Sequence, residues 1–327
     1  MIRALAKGSG LAAFGLSQKG EKLYRHITRN WFDTQRSHIV KLHRVWPSTF
    51  SAIQKVYGKS FNRKRIYIHE VGWTPFWPCI NYLISGSGGV LVNSGQMKST
   101  MLVRHLVFAI NQTLDMLDKA QTMGNVPQGR IDHLDSLRWC KTLDEFFSET
   151  DSHYVQGCPP AELALQDESV DIIYSGGQLE HYPPSMLRAW LDEAFRVLRP
   201  GGLLAPVFDH RDHLYHFDHG IPFLNHYRYP DFVYNMSHGS RLLYHNRMPP
   251  DEVASVFEEK GFAKRSLLRL VLPDNIWLNE GDQLQGVAGL RRDFLSRRFS
   301  DISDSDLHTA AGHYIYEKPK PSRGKSS

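Results

Sequence analysis

Two stretches of the chain concentrate side chains that can transfer protons. The first is the loop Ser175–Tyr182, in which His181 is a candidate general base because histidine readily exchanges a proton at neutral pH. The second is the run Asp209–His219, in which histidines and aspartates recur at short spacings. Asp212 and His213 in this run are candidates to orient or deprotonate a substrate. The alternative for His181 is that it only caps or packs against the next helix. The alternatives for the run Asp209–His219 are that its side chains only order the loop, or that it is a plain solvated loop.

The same run, Asp209–His219, contains ligand types that bind divalent metal ions, since it mixes imidazole and carboxylate donors. The chain has no H-E-x-x-H motif and no paired C-x-x-C motif to support such a site. We therefore predict no metal site. A metal-dependent hydrolase built on this run is the least favoured of the functions considered below.

The elements that must position these residues form one βαβ unit. Val170–Tyr174 is a short apolar run without alternation, which is typical of a strand buried on both faces. In Ser185–Leu198 the apolar residues recur with helical spacing, and Pro200-Gly201-Gly202 ends the helix before the apolar run Leu203–Phe208. Ligand sites of parallel sheets lie at the carboxyl ends of the strands, so both polar stretches are predicted at that edge.

Strand and helix patterns alternate through the rest of the chain, which indicates a three-layer α/β sandwich. The further strand candidates are Arg65–Val71, Gly89–Val92, Tyr154-Val155, Arg265–Leu272 and His308–Ile315. The further helix candidates are one or two helices in Glu21–Tyr57, then Ile80–Ile84, Leu102–Met123, Leu143–Phe147, Asp251–Lys260 and the region Leu284–Arg297.

The composition is that of a globular protein. With 327 residues, of which 41% are hydrophobic and 12% aromatic, the chain can bury a sizeable core. It has no apolar run long enough to span a bilayer. Cys79, Cys140 and Cys158 are an odd number without metal-ligand spacing, which indicates free thiols in a reducing compartment. These features predict a cytoplasmic protein.

The net charge of +5 is unevenly distributed. Residues 1–65 hold fourteen Lys and Arg against Glu21 and Asp33, so this segment carries +12 and the rest of the chain −7. A basic segment can bind an acidic or phosphate-bearing ligand, or it can pack against the acidic body of its own chain. We do not expect nucleic acid as a partner, because the segment has few of the glycine and aromatic alternations that mark RNA-stacking surfaces.

Two motifs resemble those of class I S-adenosylmethionine-dependent methyltransferases. SVDIIYSGGQLEHYPP is similar to the fourth strand and following loop of that family, and AFRVLRPGGLLAP is similar to its fifth-strand motif. NRMPPDEVASVFEEKGF resembles the helix and Gly-Phe turn before its sixth strand. The resemblance implies a Rossmann-like, mostly parallel seven-stranded sheet over residues 64–317 whose last strand, His308–Ile315, is antiparallel. Residues 1–63 are then a basic helical extension, and residues 318–327 are a disordered tail.

The resemblance also implies where S-adenosyl-L-methionine binds. The residues at the family's cofactor-binding positions are Glu70, Gly72, Trp73, Asn93, Glu162, Ser175 and Gly176. Glu70 and Gly72 match the first-strand motif, which in IYIHEVGWTP lacks the family's second and third glycines. Asn93 stands where the family has an acid that binds the two ribose hydroxyls.

The other cofactor positions concern the adenine and the reactive end. Glu162 is expected near the adenine amine, and Ser175–Gly176 near the reactive end of the cofactor. Trp73, with Phe76 and Trp77, is a candidate to stack on adenine, and the alternative is that these aromatic rings only pack in the core.

The leading hypothesis is an S-adenosylmethionine-dependent methyltransferase whose unidentified acceptor is expected to be a small molecule. Its acceptor would face His181, Asp212 and His213. Each lost cofactor contact costs about 1–3 kcal/mol, so the incomplete glycine motif and Asn93 leave open a second hypothesis. In that hypothesis the protein has the methyltransferase fold but binds or scaffolds without catalysis. The metal-dependent hydrolase is the third.

Overall fold

The computed structural model describes most of the chain from residue 46 onward. The described residues are 46–47, 49–70, 75–93, 99–119, 126–157, 162–163, 165–216, 218, 220–238, 244–271, 276–279 and 291–321. Gly72 and Trp73 lie outside them, as do residues 1–45 of the basic segment and the end of the predicted tail.

Eight strands of the described residues form a single mixed sheet. They are β1 Ile66–His69, β2 Gly89–Asn93, β3 Ser152–Gln156, β4 Val170–Gly176, β5 Leu198–Asp209, β6 Ala263–Val271, β7 Ile276–Asn279 and β8 Thr309–Glu317. Their spatial order is β3-β2-β1-β4-β5-β8-β6-β7. The first five in this order are parallel, whereas β8 is antiparallel to β5 and β6, and β7 is antiparallel to β6. The predicted sheet with an antiparallel last strand is confirmed, and the short β7 adds an eighth strand at its edge.

The order of the strands reverses between β1 and β4. From β1 the chain proceeds outward to β2 and β3, and it then returns to build β4 and β5 on the other side. In open parallel sheets such a reversal leaves a crevice at the carboxyl ends of the two central strands. The end of β1 and the loop that follows β4 therefore border the place where a ligand is expected.

Helices cover both faces of the sheet. They are α1 at residues 49–57, α2 Phe76–Ser85, α3 Ser99–Lys119, α4 Gln128–Ser136, α5 Leu143–Glu149, α6 Pro184–Val197, α7 Asp231–His238, α8 Pro250–Glu259 and α9 Asp304–His308. Buried side chains of α1 to α5, among them Phe50, Leu106 and Phe146, form one core with the sheet. Buried side chains of α6 and α8, among them Trp190 and Phe257, form a second core on the opposite face. The predicted three-layer arrangement is thus present.

The bounds of α6 and β5 follow from local chemistry. Pro184 lies in the first turn of α6, where the N–H that proline lacks has no partner within the helix. The helix ends at Val197, and β5 begins at once because Leu198 already pairs with β4. Gly201 takes a left-handed φ of 78° within this strand. The strand therefore starts at Leu198, five residues before Leu203, which is the start that the apolar pattern predicts.

The described part of the basic segment packs against the sheet. Trp46, Phe50 and Phe61 belong to the core on the α1 side. Lys64 forms an ion pair with Asp171 at 3.4 Å, so part of the segment's positive charge is balanced within the chain.

Three further expectations can be compared with the structure. The described end of the predicted helix at Leu284–Arg297 contains a 3-10 turn, Arg292–Phe294, instead of an α-helix. Cys79 and Cys140 are buried free thiols. None of the helices that the structure describes is long and apolar enough to cross a membrane.

We expect Gly89→Ala to destabilise the fold strongly. Gly89 begins β2 with a φ of 82°, and an added Cβ would lie 2.5 Å from the Ile66 carbonyl oxygen on β1. Backbone strain and overlap together should lower the free energy of unfolding by about 3 kcal/mol or more, measured by urea denaturation. Gly58→Ala is the matched control, because Gly58 has a φ of 63° but no atom within 4 Å of an added Cβ. Equal losses in the two variants would contradict the close approach of β1.

Candidate active site

The carboxyl ends of the central strands align three of the predicted cofactor residues. In the pairing register, His69 of β1 stands opposite Val92 of β2 and Ser175 of β4. The residues that follow these form a row, which consists of Asn93, Glu70 and Gly176. Neighbouring strands are about 4.8 Å apart, so the row extends about 10 Å along the sheet edge.

A carboxylate and an amide border the crevice at β1 and β2. Glu70 adopts a left-handed φ of 53°, which is uncommon for a residue with a side chain and turns the chain sharply after β1. Burial raises the pKa of Tyr182, and the nearby Glu70 carboxylate adds to this rise. Asn93 is buried, and its backbone carbonyl accepts a hydrogen bond from the Gly157 amide at 3.0 Å.

The end of β4 packs tightly against aromatic rings. Trp46, Trp77 and Tyr174 form a cluster whose ring centroids are 4.7 to 5.1 Å apart. A Cβ at Gly176 would lie 3.2 Å from the Trp77 ring, which explains a glycine at this position. Ser175 is fully buried, and its Oγ has no hydrogen-bond partner among the residues that the structure describes. A buried hydroxyl of this kind needs a partner, and it lies next to the crevice.

Other predicted cofactor residues are not brought into the row. Phe76 and Trp77 are buried in the core, which was the alternative to stacking on adenine. Glu162 is exposed, and the amide of the following residue, Leu163, donates to Glu193 of α6 at 3.0 Å. The backbone at Glu162 is therefore held beside α6.

The loop after β4 and the run after β5 meet above the sheet edge. The rings of His181 and His213 stack with their centroids 4.6 Å apart and their planes at 26°. His181 Nδ1 donates to the Tyr244 carbonyl oxygen at 3.0 Å, because a carbonyl can only accept, and Nε2 therefore carries the lone pair. Burial, with the neighbouring imidazoles, lowers the pKa of His213 well below its usual value. Glu180 is also buried, and one ligand atom each from Glu180, His181 and His213 lies within 4.8 Å of the others.

Asp212, the third residue predicted on the acceptor side, holds its own loop together. Its buried carboxylate accepts hydrogen bonds from the Leu214 amide at 2.9 Å and from the Asn225 side chain at 3.1 Å. Nε2 of His238 lies 3.5 Å from the same carboxylate. These contacts favour the loop-ordering alternative for Asp212, whereas His181 and His213 share one surface.

A buried ion pair lies beside the histidines. Two nitrogens of Arg211 donate to the two carboxylate oxygens of Asp209 at 2.7 and 2.6 Å. Burial alone would raise the pKa of Asp209, but the charge of Arg211 and a hydrogen bond from His216 hold it well below its usual value. The charge of Glu180 also acts on Arg211, so the guanidinium balances part of the negative charge on this side of the crevice.

Three consecutive residues, His245–Arg247, connect these loops, and we call them the clasp. The sequence analysis quoted Asn246 and Arg247 as the start of the motif NRMPPDEVASVFEEKGF but gave them no role, because a short polar triplet before α8 has no periodic signal. The backbone amide of Asn246 donates to the Glu180 carbonyl oxygen at 2.8 Å. Its side-chain amide donates to the carbonyl oxygens of Leu179 and Tyr182 at 3.2 and 3.1 Å. Asn246 thus fixes the 3-10 turn that presents the carboxylate and imidazole of the β4 loop.

The other two clasp residues bind the segment after β5. His245 Nε2 donates to the Asp209 carbonyl oxygen at 2.7 Å, and its Nδ1 accepts from the Arg247 amide at 2.8 Å. Arg247 has a left-handed φ of 57° and is almost fully buried. Its guanidinium donates to the carbonyl oxygens of His226 and Tyr229 at 3.1 and 2.8 Å. One segment therefore sets the positions of both polar loops.

His69 supports the β4 loop from below as a neutral ring. Trp190 Nε1 can only donate, and it bonds to His69 Nδ1 at 3.2 Å. His69 Nε2 therefore carries the proton and donates to the Tyr182 hydroxyl at 2.6 Å. Complete burial lowers the pKa of His69 to about 3. The ring joins β1, α6 and the end of the β4 loop without introducing a charge.

Comparison with known proteins agrees with this architecture. A family model described as a methyltransferase domain matches residues 93–205, from the end of β2 into β5. The match includes β4, α6, the first motif and all but the last residue of the second motif, whereas NRMPPDEVASVFEEKGF lies outside it. Residues 93–205 are therefore similar to a methyltransferase domain.

Sequence comparison with curated proteins gives no match. Among solved structures, an S-adenosylmethionine-dependent methyltransferase from Mesorhizobium loti is 12% identical and aligns over 79% of this chain and 93% of its own, with a TM-score of 0.40. One from Thermotoga maritima is 12% identical and aligns over 90% of this chain and 98% of its own, with a TM-score of 0.41. These similarities are too weak to support a fold or a function. The methyltransferase-like fold is assigned from the matched segment and the strand order.

We expect the fold to lose stability as the pH falls from 7 to 5. His69 has a pKa of about 3 in the folded protein because it is buried, whereas an unfolded histidine has a pKa of about 6.5. Acid therefore favours the unfolded chain from about pH 6.5 downward to about pH 3. His69 alone should cost about 2 kcal/mol at pH 5.

Urea denaturation at pH 7 and pH 5 measures this loss. His69→Gln should reduce the difference in the free energy of unfolding between pH 7 and pH 5. The reason is that the variant lacks a group that takes up a proton on unfolding. His153→Gln is the control, because His153 is exposed and an exposed ring is hydrated in both states. An unchanged difference in His69→Gln would show that His69 is protonated in the folded protein.

We expect Asn246→Ala to destabilise the protein by about 3 kcal/mol, since it leaves the Leu179 and Tyr182 carbonyls and the Met248 amide without their partner at about 1 kcal/mol each. Thermal and urea unfolding measure the effect. Asn235→Ala on the exposed surface of α7 is the matched control, with a change within about 0.5 kcal/mol. If Asn246→Ala lost as little stability as the control, Asn246 would not hold the loop after β4 through these hydrogen bonds.

Proposed function

We propose that this protein transfers the methyl group of S-adenosyl-L-methionine to a small-molecule acceptor. The observation that carries the proposal is the row of Asn93, Glu70 and Gly176 at the reversal of the strand order, together with the paired histidines on the segments that follow β4 and β5. In open α/β sheets this crevice is where ligands bind. The similarity of residues 93–205 to a methyltransferase domain supports this class of reaction.

The residues of the row have donors and acceptors that suit such a cofactor. Asn93 can accept a hydrogen bond from one ribose hydroxyl and donate one to the other. Glu70 can accept from a hydroxyl or an ammonium group at the end of β1. The buried Ser175 hydroxyl, unpaired among the described residues, offers one further partner.

The reaction requires that the acceptor be positioned against the cofactor and that one proton be removed from the acceptor. When bound, S-adenosylmethionine supplies an electrophilic methyl group, which the acceptor must approach in line while water is kept out. His181 would accept the acceptor's proton at Nε2, because its Nδ1 proton is held by the Tyr244 carbonyl. The stacked His213 ring stays neutral because burial lowers its pKa, so it supports His181 without competing for charge.

These residues indicate what kind of nucleophilic atom the acceptor carries. A base at Nε2 of His181 suits an acceptor whose nucleophilic atom carries a proton, as in a hydroxyl, thiol or amine. An acidic or phosphate-bearing ligand for the basic segment stays a prediction. In its described part, the charge of Lys64 is already paired with Asp171.

The second candidate function is a protein that binds a ligand in the same crevice without catalysis. The observation that favours it is Asn93, because an amide cannot accept hydrogen bonds from both ribose hydroxyls as a carboxylate can. The loss of one such bond costs about 1–3 kcal/mol, which is one to two orders of magnitude in affinity.

Calorimetric titration of the full-length protein with S-adenosylmethionine and S-adenosylhomocysteine tests both candidates. We expect binding by the wild-type protein and about tenfold or more tighter binding by Asn93→Asp, which restores the second acceptor. Asn62→Asp is the matched control, since Asn62 is exposed and bonds to Arg130 away from the crevice.

The outcomes separate the hypotheses. No heat from the folded wild-type protein at millimolar ligand would overturn the methyltransferase proposal. Binding by Asn93→Asp alone, without binding by the wild type, would support the non-catalytic candidate.

A further inference from the structure

We propose that Glu180, His181 and His213 bind a divalent transition-metal ion of the Zn²⁺ type. We call these three residues the triad. One carboxylate and two imidazoles are a ligand set that holds such ions in proteins, with further coordination positions left for water or substrate. The triad's ligand atoms already lie within 4.8 Å of one another. The sequence analysis predicted no metal site, because the chain has no H-E-x-x-H or paired C-x-x-C motif. It did not combine Glu180 with His213, which is more than thirty residues away in the chain.

The geometry is close to what coordination requires. With metal–ligand distances of about 2.0–2.2 Å, tetrahedral ligand atoms are separated by about 3.3–3.6 Å. The triad therefore needs to contract by up to about 1.5 Å, and the stacked imidazoles must turn relative to each other so that both lone pairs point to one ion. Two nitrogens and one oxygen suit a borderline ion, whereas Mg²⁺ and Ca²⁺ prefer oxygen ligands throughout.

The surroundings of His181 are those of a metal ligand. Histidine ligands usually donate their second ring N–H to a carbonyl or carboxylate, which fixes the ring's orientation and tautomer. His181 Nδ1 donates to the Tyr244 carbonyl oxygen in this way, so Nε2 presents its lone pair. His213 has no hydrogen bond to its ring nitrogens among the residues that the structure describes, and its ring lies face to face with His181.

Hydrogen bonds hold the two turns that carry the triad residues. Glu180 and His181 are consecutive in the 3-10 turn Leu179–His181, which Asn246 of the clasp holds through three hydrogen bonds. His213 begins another 3-10 turn, whose amide at Leu214 bonds to the buried Asp212. Pre-organised ligands lose little conformational freedom on binding an ion.

The nearby charges also permit a cation. Arg211 is the neighbouring positive group, but its guanidinium bonds to both oxygens of Asp209. Burial of the Glu180 carboxylate makes a bound cation more favourable, since a buried charge is stabilised by a close opposite charge.

Metal binding and the general-base role of His181 exclude each other, because both use Nε2. Where the proposed methyl transfer holds, a bound ion would itself lower the pKa of an acceptor hydroxyl or thiol at its open position. This consequence rests on the proposed function, but the metal site does not. The experiment below therefore measures metal binding without cofactor or acceptor.

The test uses full-length protein treated with a chelator and dialysed. Zn²⁺ is titrated by calorimetry, and Co²⁺ is added as a spectroscopic probe whose visible absorption reports coordination geometry. We expect one ion per chain. Glu180→Gln should weaken binding at least about tenfold, and His181→Ala and His213→Ala about a hundredfold or more, since even loss of a residue behind the ligands costs 10–100-fold.

His216→Ala is the matched control, because His216 lies on the same turn as His213 and its Nε2 contacts Asp209, although its ring centroid is 6.1 Å from that of His213. It should retain wild-type binding. Circular dichroism and thermal unfolding establish that each variant is folded, and Glu180→Gln keeps the shape of the side chain if an alanine variant does not fold. The absence of stoichiometric binding by the folded wild type would overturn the proposal, as would unchanged binding by Glu180→Gln and His213→Ala. In either case the S-adenosylmethionine titration remains a separate result.

Discussion

The candidate site depends on the burial of one cation, the guanidinium of Arg247. Only 2% of this side chain is exposed, and the guanidinium lies 4.1 Å above the Tyr234 ring while it donates to two carbonyl oxygens. A buried charge is tolerated only when its hydrogen bonds are complete, so the backbone around it has little freedom. The left-handed φ of 57° at this residue is part of that constraint. Because Asn246 and His245 precede it directly, the same burial fixes the loop after β4 and the end of β5.

The second constraint is the reversal of strand order in the sheet. It places the ends of β1 and β4 side by side, and the register then decides which residues face the crevice. His69 lies at this point with a pKa of about 3, so it can link β1 to Tyr182 and Trp190 without a charge in the core. The polar loop above the sheet is thereby held from below by a neutral ring and from above by the clasp.

The sequence predicted those parts whose signal is local. The βαβ unit was recognisable because the apolar period changes from strand to helix and back within forty residues, and Pro184 and Gly201 mark the turns. The meeting of the His181 and His213 loops followed from the rule that parallel strands share one functional edge. Their role on the acceptor side stays a prediction. The clasp could not be predicted in this way, since a buried arginine contradicts the usual preference and its partners lie about twenty residues away. The 3-10 turn at Arg292–Phe294 and the four-residue strand β7 are likewise too short to have a periodic signal.

The two sides of the crevice are built differently, and the difference bears on whether the protein acts or only binds. On the cofactor side, Asn93 and the incomplete glycine motif reduce the contacts available to a nucleoside. On the predicted acceptor side, the buried Glu180 lies close to His181 and His213, whose rings stack. Buried charged groups are costly to desolvate, so such a cluster contributes little to stability by itself. The proposed ion site and the proposed general base each give these side chains a reason to converge, whereas a scaffold gives none.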